Sequence, residues 1–348
     1  MSDPAINIQI QELKNHIQKG QLARCEISLD KLLQESLSTD QLCQIYYLQA
    51  LLYRLQKRHN DALSTLQKLK EITPSPSRMH QEMGYNYRAM GNIKQAANEF
   101  YAATKANPAL LSSWQALLPI YQAQKQSEAI SLCVNHIDAL KKLPAQILAA
   151  SDLLHDGNTS AADKVCRAYL REHKHSIPGL FLLADIALKL KAVSEAEFIL
   201  ETCVELAPDD LEAKYRLFKV SSKLGKFPLA LTLSKELTLQ APNNIFYSIA
   251  KASALVGVGE LQAAINLYQS IIQADKAESN VYLLLGHAYK SHGDIQNAIN
   301  AYQQAYVLNP LCGDAFWSLA NTKTYRFTQQ EISQMIAGVE SSSIDIDD

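Results

Sequence analysis

The residues that would mark a specialised chain are scarce. There are six cysteines (Cys25, Cys43, Cys133, Cys166, Cys203 and Cys312), scattered without a CxxC pair. That spacing suits neither a disulfide framework nor a zinc knuckle and reads as small buried hydrophobes. Glycine (12) and proline (11) are too few for the many tight turns of a sandwich or barrel of short strands, so the chain should be mostly helical. Charge of neither sign dominates: 33 Lys plus Arg face 35 Asp plus Glu, a net charge of -2. This lacks the electrostatic footprint of a protein whose chief partner is nucleic acid or an anionic membrane. No apolar run approaches the ~20 residues that span a bilayer. The start, Met1 to Asn7, has neither the basic segment nor the apolar stretch of a secretory leader, so the expectation is a cytoplasmic, soluble chain. What is abundant is ordinary foldable material, 47% hydrophobic and 20% charged over 348 residues. That length ordinarily implies two or three domains, unless repetition extends a single architecture.

Repetition is present. Counting Ser279 as position one, the segment through Pro310 places Tyr282 at four, Leu285 at seven, Gly286 at eight, Tyr289 at eleven and Gly293 at fifteen. Ala298 follows at twenty, Tyr302 at twenty-four, Ala305 at twenty-seven and Pro310 at thirty-two. Sliding this ruler finds Ala62, Ala96, Ala162, Ala196, Ala230, Ala264 and Ala298 at position twenty, the five from Ala162 onward at steps of 34. Position fifteen is Gly91, Gly157, Gly225, Gly259 and Gly293, and position thirty-two is Pro74, Pro108, Pro208, Pro242 and Pro310.

Each choice has a physical cause. Small residues at eight and twenty let two helices of a pair cross closely, where larger side chains would overpack. Glycine at fifteen ends the first helix in a left-handed cap, and Asn92, Asp294 or Ser194 just after it supplies a cap for the second. Proline at thirty-two stops the second helix, and the bulky positions fill the seam between neighbouring units. The pattern resembles the tetratricopeptide (TPR) repeat. The resemblance implies an all-α, right-handed superhelical solenoid of paired antiparallel helices.

In this frame repeats begin at Cys43, Ser77, Leu111, Leu143, Ile177, Leu211, Ile245 and Ser279, so eight cover residues 43–312. Residues 1–42 read as a degenerate N-terminal helix pair, with Gly20 at fifteen and Cys25 at twenty. Residues 313–338 read as capping or junction helices and residues 339–348 as an acidic tail. The repeat from Leu111 is two residues short and carries Pro119 in its first helix, so a local irregularity is expected there.

The stretch containing Trp317, Ser318, Leu319, Ala320, Asn321, Lys323, Thr324, Phe327 and Glu331 resembles the junction at which a TPR array of bacterial proteins runs into a sulfotransferase domain. That resemblance covers about 25 residues. It implies that this chain is the non-catalytic recognition region of an enzyme using the sulfate donor PAPS. The family's phosphate loop, resembling PRSGTT, has no counterpart here, so no catalytic or PAPS-binding residue is assigned and the chain itself is expected to bind no cofactor. Other enzyme motifs are absent too: there is no GxxxxGK[ST], HExxH or GxSxG, and Gly257-Val258-Gly259 lacks a third glycine and a preceding strand. His173 and His175 at a helix end diverge in direction and read as solvated surface, so no metal is expected.

In TPR proteins the concave face is lined by positions two, five, nine, twelve and thirteen of the first helices. The resemblance therefore points to Tyr47, Arg54, Arg78, Gln81, Tyr85 and Arg88 as a first patch, an aromatic and basic set suited to peptide carboxylates. Phe181, Asp185, Glu212, Tyr215, Lys219 and Lys223, with Arg216 alongside, form a second, and His287 is a further candidate. Long charged side chains that merely solvate a helix face are the competing reading for each of them. The chaperone-type carboxylate clamp needs Lys at five and Asn at nine in one repeat, and no repeat has both. An asparagine ladder at position six fails as well, since that position reads Leu48, Glu82, Ala116, Leu148, Leu182, Arg216, Ala250 and Leu284. The expected partner is a protein or peptide in the groove, with no nucleic acid or membrane. Two alternatives stand beside the sulfotransferase reading: a stand-alone adaptor, in which Ile332, Met335 and Ile336 should be buried as a cap, and a self-associating array.

Overall fold

A computed structural model describes residues 4–73, 77–274 and 278–340, and side-chain placement is described for all of these but 4, 23 and 340. Met1 to Asp3 of the leader reading, Pro74 of the turn series and residues 341–348 of the acidic tail lie outside them. Among the described residues every regular element is an α-helix, 20 in all, and none is long and apolar enough to cross a membrane. The chain divides into two compact units, residues 1–182 and 183–348.

The first unit runs through α1 (Pro4–Gln18), α2 (Leu22–Leu32), α3 (Thr39–Leu55), α4 (His59–Ile72), α5 (Ser77–Ala89) and α6 (Ile93–Ala106). It continues through α7 (Leu111–Ala123), α8 (Ser127–Lys141), α9 (Ala145–His155), α10 (Thr159–Glu172) and the start of α11 (Ile177–Lys189). The second unit continues with α12 (Val193–Leu206), α13 (Leu211–Lys223), α14 (Phe227–Gln240), α15 (Ile245–Gly257), α16 (Leu261–Gln273), α17 (Ser279–His292) and α18 (Ile295–Leu308). It ends with α19 (Gly313–Ala320) and α20 (Gln329–Glu340). Within each unit, sequence neighbours pack as antiparallel pairs, most extensively α5 with α6 and α17 with α18.

The ruler's turn position is a left-handed backbone throughout. Gly91, Gly157, Gly225, Gly259 and Gly293 have φ between 72° and 89°. Where glycine is missing at position fifteen, Lys57, Lys125 and Lys191 adopt the same conformation at φ 63°, 56° and 61°. The turn geometry thus outlasts the residue that favours it, because the helix C-terminus still needs its carbonyls closed by the reversing chain. Asn92, Asn158 and Asp294 cap the following helices by accepting from the backbone N–H three residues on. Ser194 does not. The residue preceding α12 is Ala192, which places Ser194 inside the helix, where its hydroxyl is too late to cap.

The crossing of each pair differs from the sequence expectation in one respect. All seven position-twenty alanines are buried, but the small residue at position eight makes room for the ring at position twenty-four. A Cβ on Gly84 would lie 2.7 Å from the Phe100 ring, and one on Gly286 would lie 2.4 Å from the Tyr302 ring. The α13 and α14 pair reverses the arrangement, with a buried Phe218 at eight and a buried Ser234 at twenty-four. Small residues are therefore not obligatory at eight: in the α13 and α14 pair a small residue at twenty-four leaves room for a large one at eight.

Two further differences concern irregular regions. Pro119 does not break α7, which runs on to Ala123 with Leu117 and Ile120 buried on either side of it. Packing of that face outweighs the one backbone hydrogen bond that proline removes. At the N-terminus, Ile6, Ile10, Leu13 and Ile17 form an apolar stripe that joins Cys25, Leu29, Ile45 and Leu52 in one core. The cysteines are all free, four buried and Cys43 and Cys312 half-buried. We expect Gly286→Ala to destabilise the fold by about 1–3 kcal/mol through overpacking against Tyr302. Urea unfolding of the variant with Tyr302→Leu added should recover most of that loss.

Candidate functional site

The first patch assembles on α3, α5, α7 and α9, and its cations are already engaged. Arg54 Nε and Nη2 both donate to the Glu82 carboxylate, whose pKa burial raises despite that partner. Arg78 Nε donates to Asp156 Oδ2 at 2.8 Å and its Nη2 donates to Asp152. The same two aspartates accept from Asn107 Nδ2, at 2.8 and 3.0 Å, and Asp156 also accepts from Ser77 Oγ. Gln81 is buried and spends its amide N–H groups on Ser112 and Ser113. Tyr47 is pushed up to about 12 by burial and by the Glu82 carboxylate. Of the predicted set, Tyr85 and Arg88 remain the more open: both Arg54 and Arg88 sit over the Tyr85 ring, at 5.1 and 5.3 Å, and Arg88 forms no ion pair among the described residues.

Arg54 and Arg78 of the first patch are thus paired within their own unit. Asp152 and Asp156 went unnoticed because they occupy positions ten and fourteen, outside the five groove-facing positions, and they lie over 70 residues from Arg78. A charged ladder of this kind ties helices together more readily than it recruits a ligand. A smaller recess of about 400 Å³ beside it is lined by Arg78, Ser112, Gln115 and Asp152 among others.

The second patch is different. Arg216 is held by Glu212 at 2.6 Å and by Asp185 at 2.9 Å, so it too is structural. Phe181, in α11 on the first unit's side of the division, is half-buried. Tyr215 and Lys219, however, border a groove of about 560 Å³, together with Phe218, Ser222, Phe246, Ile249, Ser253, Glu278 and Asn280. In the ruler's count Tyr215, Lys219 and Ser222 are five, nine and twelve of one repeat, Phe246, Ile249 and Ser253 are two, five and nine of the next, and Asn280 is two of a third. Helical periodicity brings these positions onto one face of α13, α15 and α17. The floor is aromatic: the Tyr215 and Phe218 rings stack at 6.0 Å, and Lys219 Nζ lies 5.1 Å above the Tyr215 centroid. Lys223 follows on α13, exposed. Phe246 stands 64% exposed at the rim.

Phe246, Ile249 and Ser253 were not singled out from the sequence, although the same five positions applied to the repeat from Ile245 would have found them. His287, at position nine of the following repeat, is turned onto the Tyr302 hydroxyl at 3.0 Å. Burial and the nearby Lys290 lower its pKa. Trp317 is 65% exposed on α19. Among the described residues no group of three or more His, Cys, Asp or Glu side chains is placed to hold a metal ion.

The junction segment has its own local chemistry. Glu331, buried inside the turn between α19 and α20, accepts from the Tyr306 and Tyr325 hydroxyls and from Thr328 N–H and Oγ1, and these donors hold it down at about 2. The residues expected to seal the end do not: Ile332 and Ile336 are exposed and Met335 is half-buried.

Arg78→Ala should lower stability by about 1 kcal/mol, because it strands Asp152 and Asp156, whereas Arg88→Ala should leave stability within ~0.5 kcal/mol. Thermal unfolding of the two variants at low and high salt checks this, with the Arg78 effect shrinking as salt rises.

Comparison with known proteins agrees with the helix pairs. The family model described as Tetratricopeptide repeat matches residues 77–110, 177–210 and 279–310, and a second of the same description matches residues 44–74. A BBSome complex member BBS4 homolog of Drosophila melanogaster is 20% identical over 306 residues, and the chain spans 87% of itself but only 57% of that relative's length in the match. Among solved structures, MamA from Desulfovibrio magneticus RS-1 is 18% identical with a TM-score of 0.44, covering 49% of this chain and 98% of its own. YrrB, described as a TPR protein with an unusual peptide-binding site, is 16% identical with a TM-score of 0.43, covering 53% and 96%. The matched segments fall in the same frame as the helix pairs and left-handed turns, so four stretches of this chain are similar to the tetratricopeptide repeat within an all-α fold.

Proposed function

We propose that the chain is a protein-binding scaffold and that a segment of its partner lies in the groove formed by α13, α15 and α17. The observation that carries this reading is the convergence of groove-facing positions from three successive repeats around one recess of about 560 Å³, with Phe246 exposed at its edge. A large aromatic side chain left in water at a concave site is a ready anchor, because covering it removes apolar area from solvent and costs little conformational entropy. The first patch has a weaker claim, since its cations are occupied by carboxylates of the same unit. Phe246→Asp is expected to abolish retention of peptides from a degenerate library on the immobilised chain while far-UV circular dichroism stays unchanged. Phe198→Asp, at an equally exposed ring on α12, should retain them. Equal retention by the Phe246 variant would sink this reading.

A finer reading makes this chain the recognition region of a PAPS-dependent sulfotransferase. Its support is the junction-like stretch from Trp317 to Glu331, together with the outward stripe of Ile332, Ile336 and Val339 on α20, which a sealed terminal cap would have buried. No residue of this chain is assigned to PAPS. The expected outcome is that the gene of origin continues past the codon for Asp348 into a strand, a PRSGTT-like loop and a helix; a stop codon there retires it in favour of a stand-alone adaptor.

A further inference from the structure

We propose that the groove of the second unit selects an acidic linear peptide: one bulky apolar side chain on the aromatic floor, with carboxylates following it toward Lys219 and Lys223. This rests on the groove reading above and adds the chemistry of the occupant.

The groove is graded along the helices that form it. At its position-two end stand Phe246 and Asn280, with Glu278 just before α17. Tyr215 and Ile249 make the middle. Lys219, Ser253 and Ser222 make the far end, and Lys223 lies one helical turn beyond Lys219 on α13. A chain lying along the helices meets one carboxylate, then an apolar floor, then two ammonium groups.

Those two ammonium groups differ from the paired cations beside them on α13 and at the start of α14. Lys214 pairs with Glu236 at 2.7 Å, Arg216 pairs with Glu212 and Asp185, and Lys226 pairs with Glu197 at 2.6 Å. Lys219 and Lys223 form no ion pair among the described residues, and the contact Lys219 does make is with the Tyr215 ring. Like charges four residues apart on a helix repel, so this pair is unfavourable in the free protein and relieved by an anion. Beside it Ser222 lines the groove wall, with its hydroxyl covered. Two cations at the edge of an apolar surface attract a carboxylate more strongly than the same groups would in open water. Glu278 sets the direction, since it repels acidic residues from the opposite end. A recess of this size admits one large side chain and a stretch of extended backbone, not a folded surface.

The test uses the full chain, immobilised and offered two degenerate peptide pools. Each has a fixed central phenylalanine, flanked in one pool by Asp or Glu and in the other by Lys or Arg, and retained peptides are read by mass spectrometry. The acidic pool is expected to be retained and the basic pool to pass through. For the most enriched acidic peptide, fluorescence anisotropy should show the Lys219→Glu, Lys223→Glu double variant losing affinity by about tenfold or more. That variant should also invert the preference between pools, and rising salt should weaken the wild-type complex. Equal retention of both pools, with loss of both in Phe246→Asp, would overturn the acidic selectivity while leaving the groove reading intact. Failure to retain either pool would overturn both, and unchanged affinity in the double lysine variant would overturn the role given to those residues.

Discussion

Everything in this molecule depends on how closely the two helices of a pair can approach. That distance is set where position twenty of the second helix, always a buried alanine in the seven best repeats, meets the first helix, and where the side chains at positions eight and twenty-four meet. Gly84 with Phe100 and Gly286 with Tyr302 put the bulk on the second helix, whereas Phe218 with Ser234 puts it on the first. A close-packed interior tolerates either division where the two side chains remain complementary. Once that spacing is constant, positions two, five and nine of each first helix face away from the crossing and onto a common surface. The candidate groove is thus a by-product of the packing rule.

Charge on that surface divides into two kinds. In the first unit, Arg54 and Arg78 are spent on Glu82, Asp152 and Asp156, and Asn107 and Ser77 complete the network. Partly buried guanidinium groups need such partners, because an unpaired charge removed from water is strongly disfavoured. In the second unit Arg216 follows the same rule, but Lys219 and Lys223 on α13 form no ion pair among the described residues. Lysine tolerates this where arginine at a bridged site would not, since its long stem covers the aromatic floor while the ammonium stays hydrated. The contrast between engaged and available cations separates scaffold from candidate site.

The C-terminal segment illustrates how a motif acquires a structural reason. Tyr306, Tyr325 and Thr328 converge on Glu331 and so orient α20 after the short α19. The helix then turns Ile332, Ile336 and Val339 outward. Satisfying one buried carboxylate decides which face of the helix is left in solvent.

The sequence by itself determined the all-α class, the 34-residue period, the left-handed turns and the alanine crossings, because each follows from local backbone sterics or from contacts within one helix pair. The TPR resemblance pointed to Tyr215 and Lys219, and both border the recess. Only the tertiary structure decided that Arg78 is neutralised by Asp152 and Asp156, that Phe218 is admitted at a position expected to be small, and that Phe246 and Ser222 complete the recess with Tyr215. Those outcomes rest on which side chains from different repeats come within a few ångströms of each other. A period in the sequence fixes where a residue points, but not what stands opposite it.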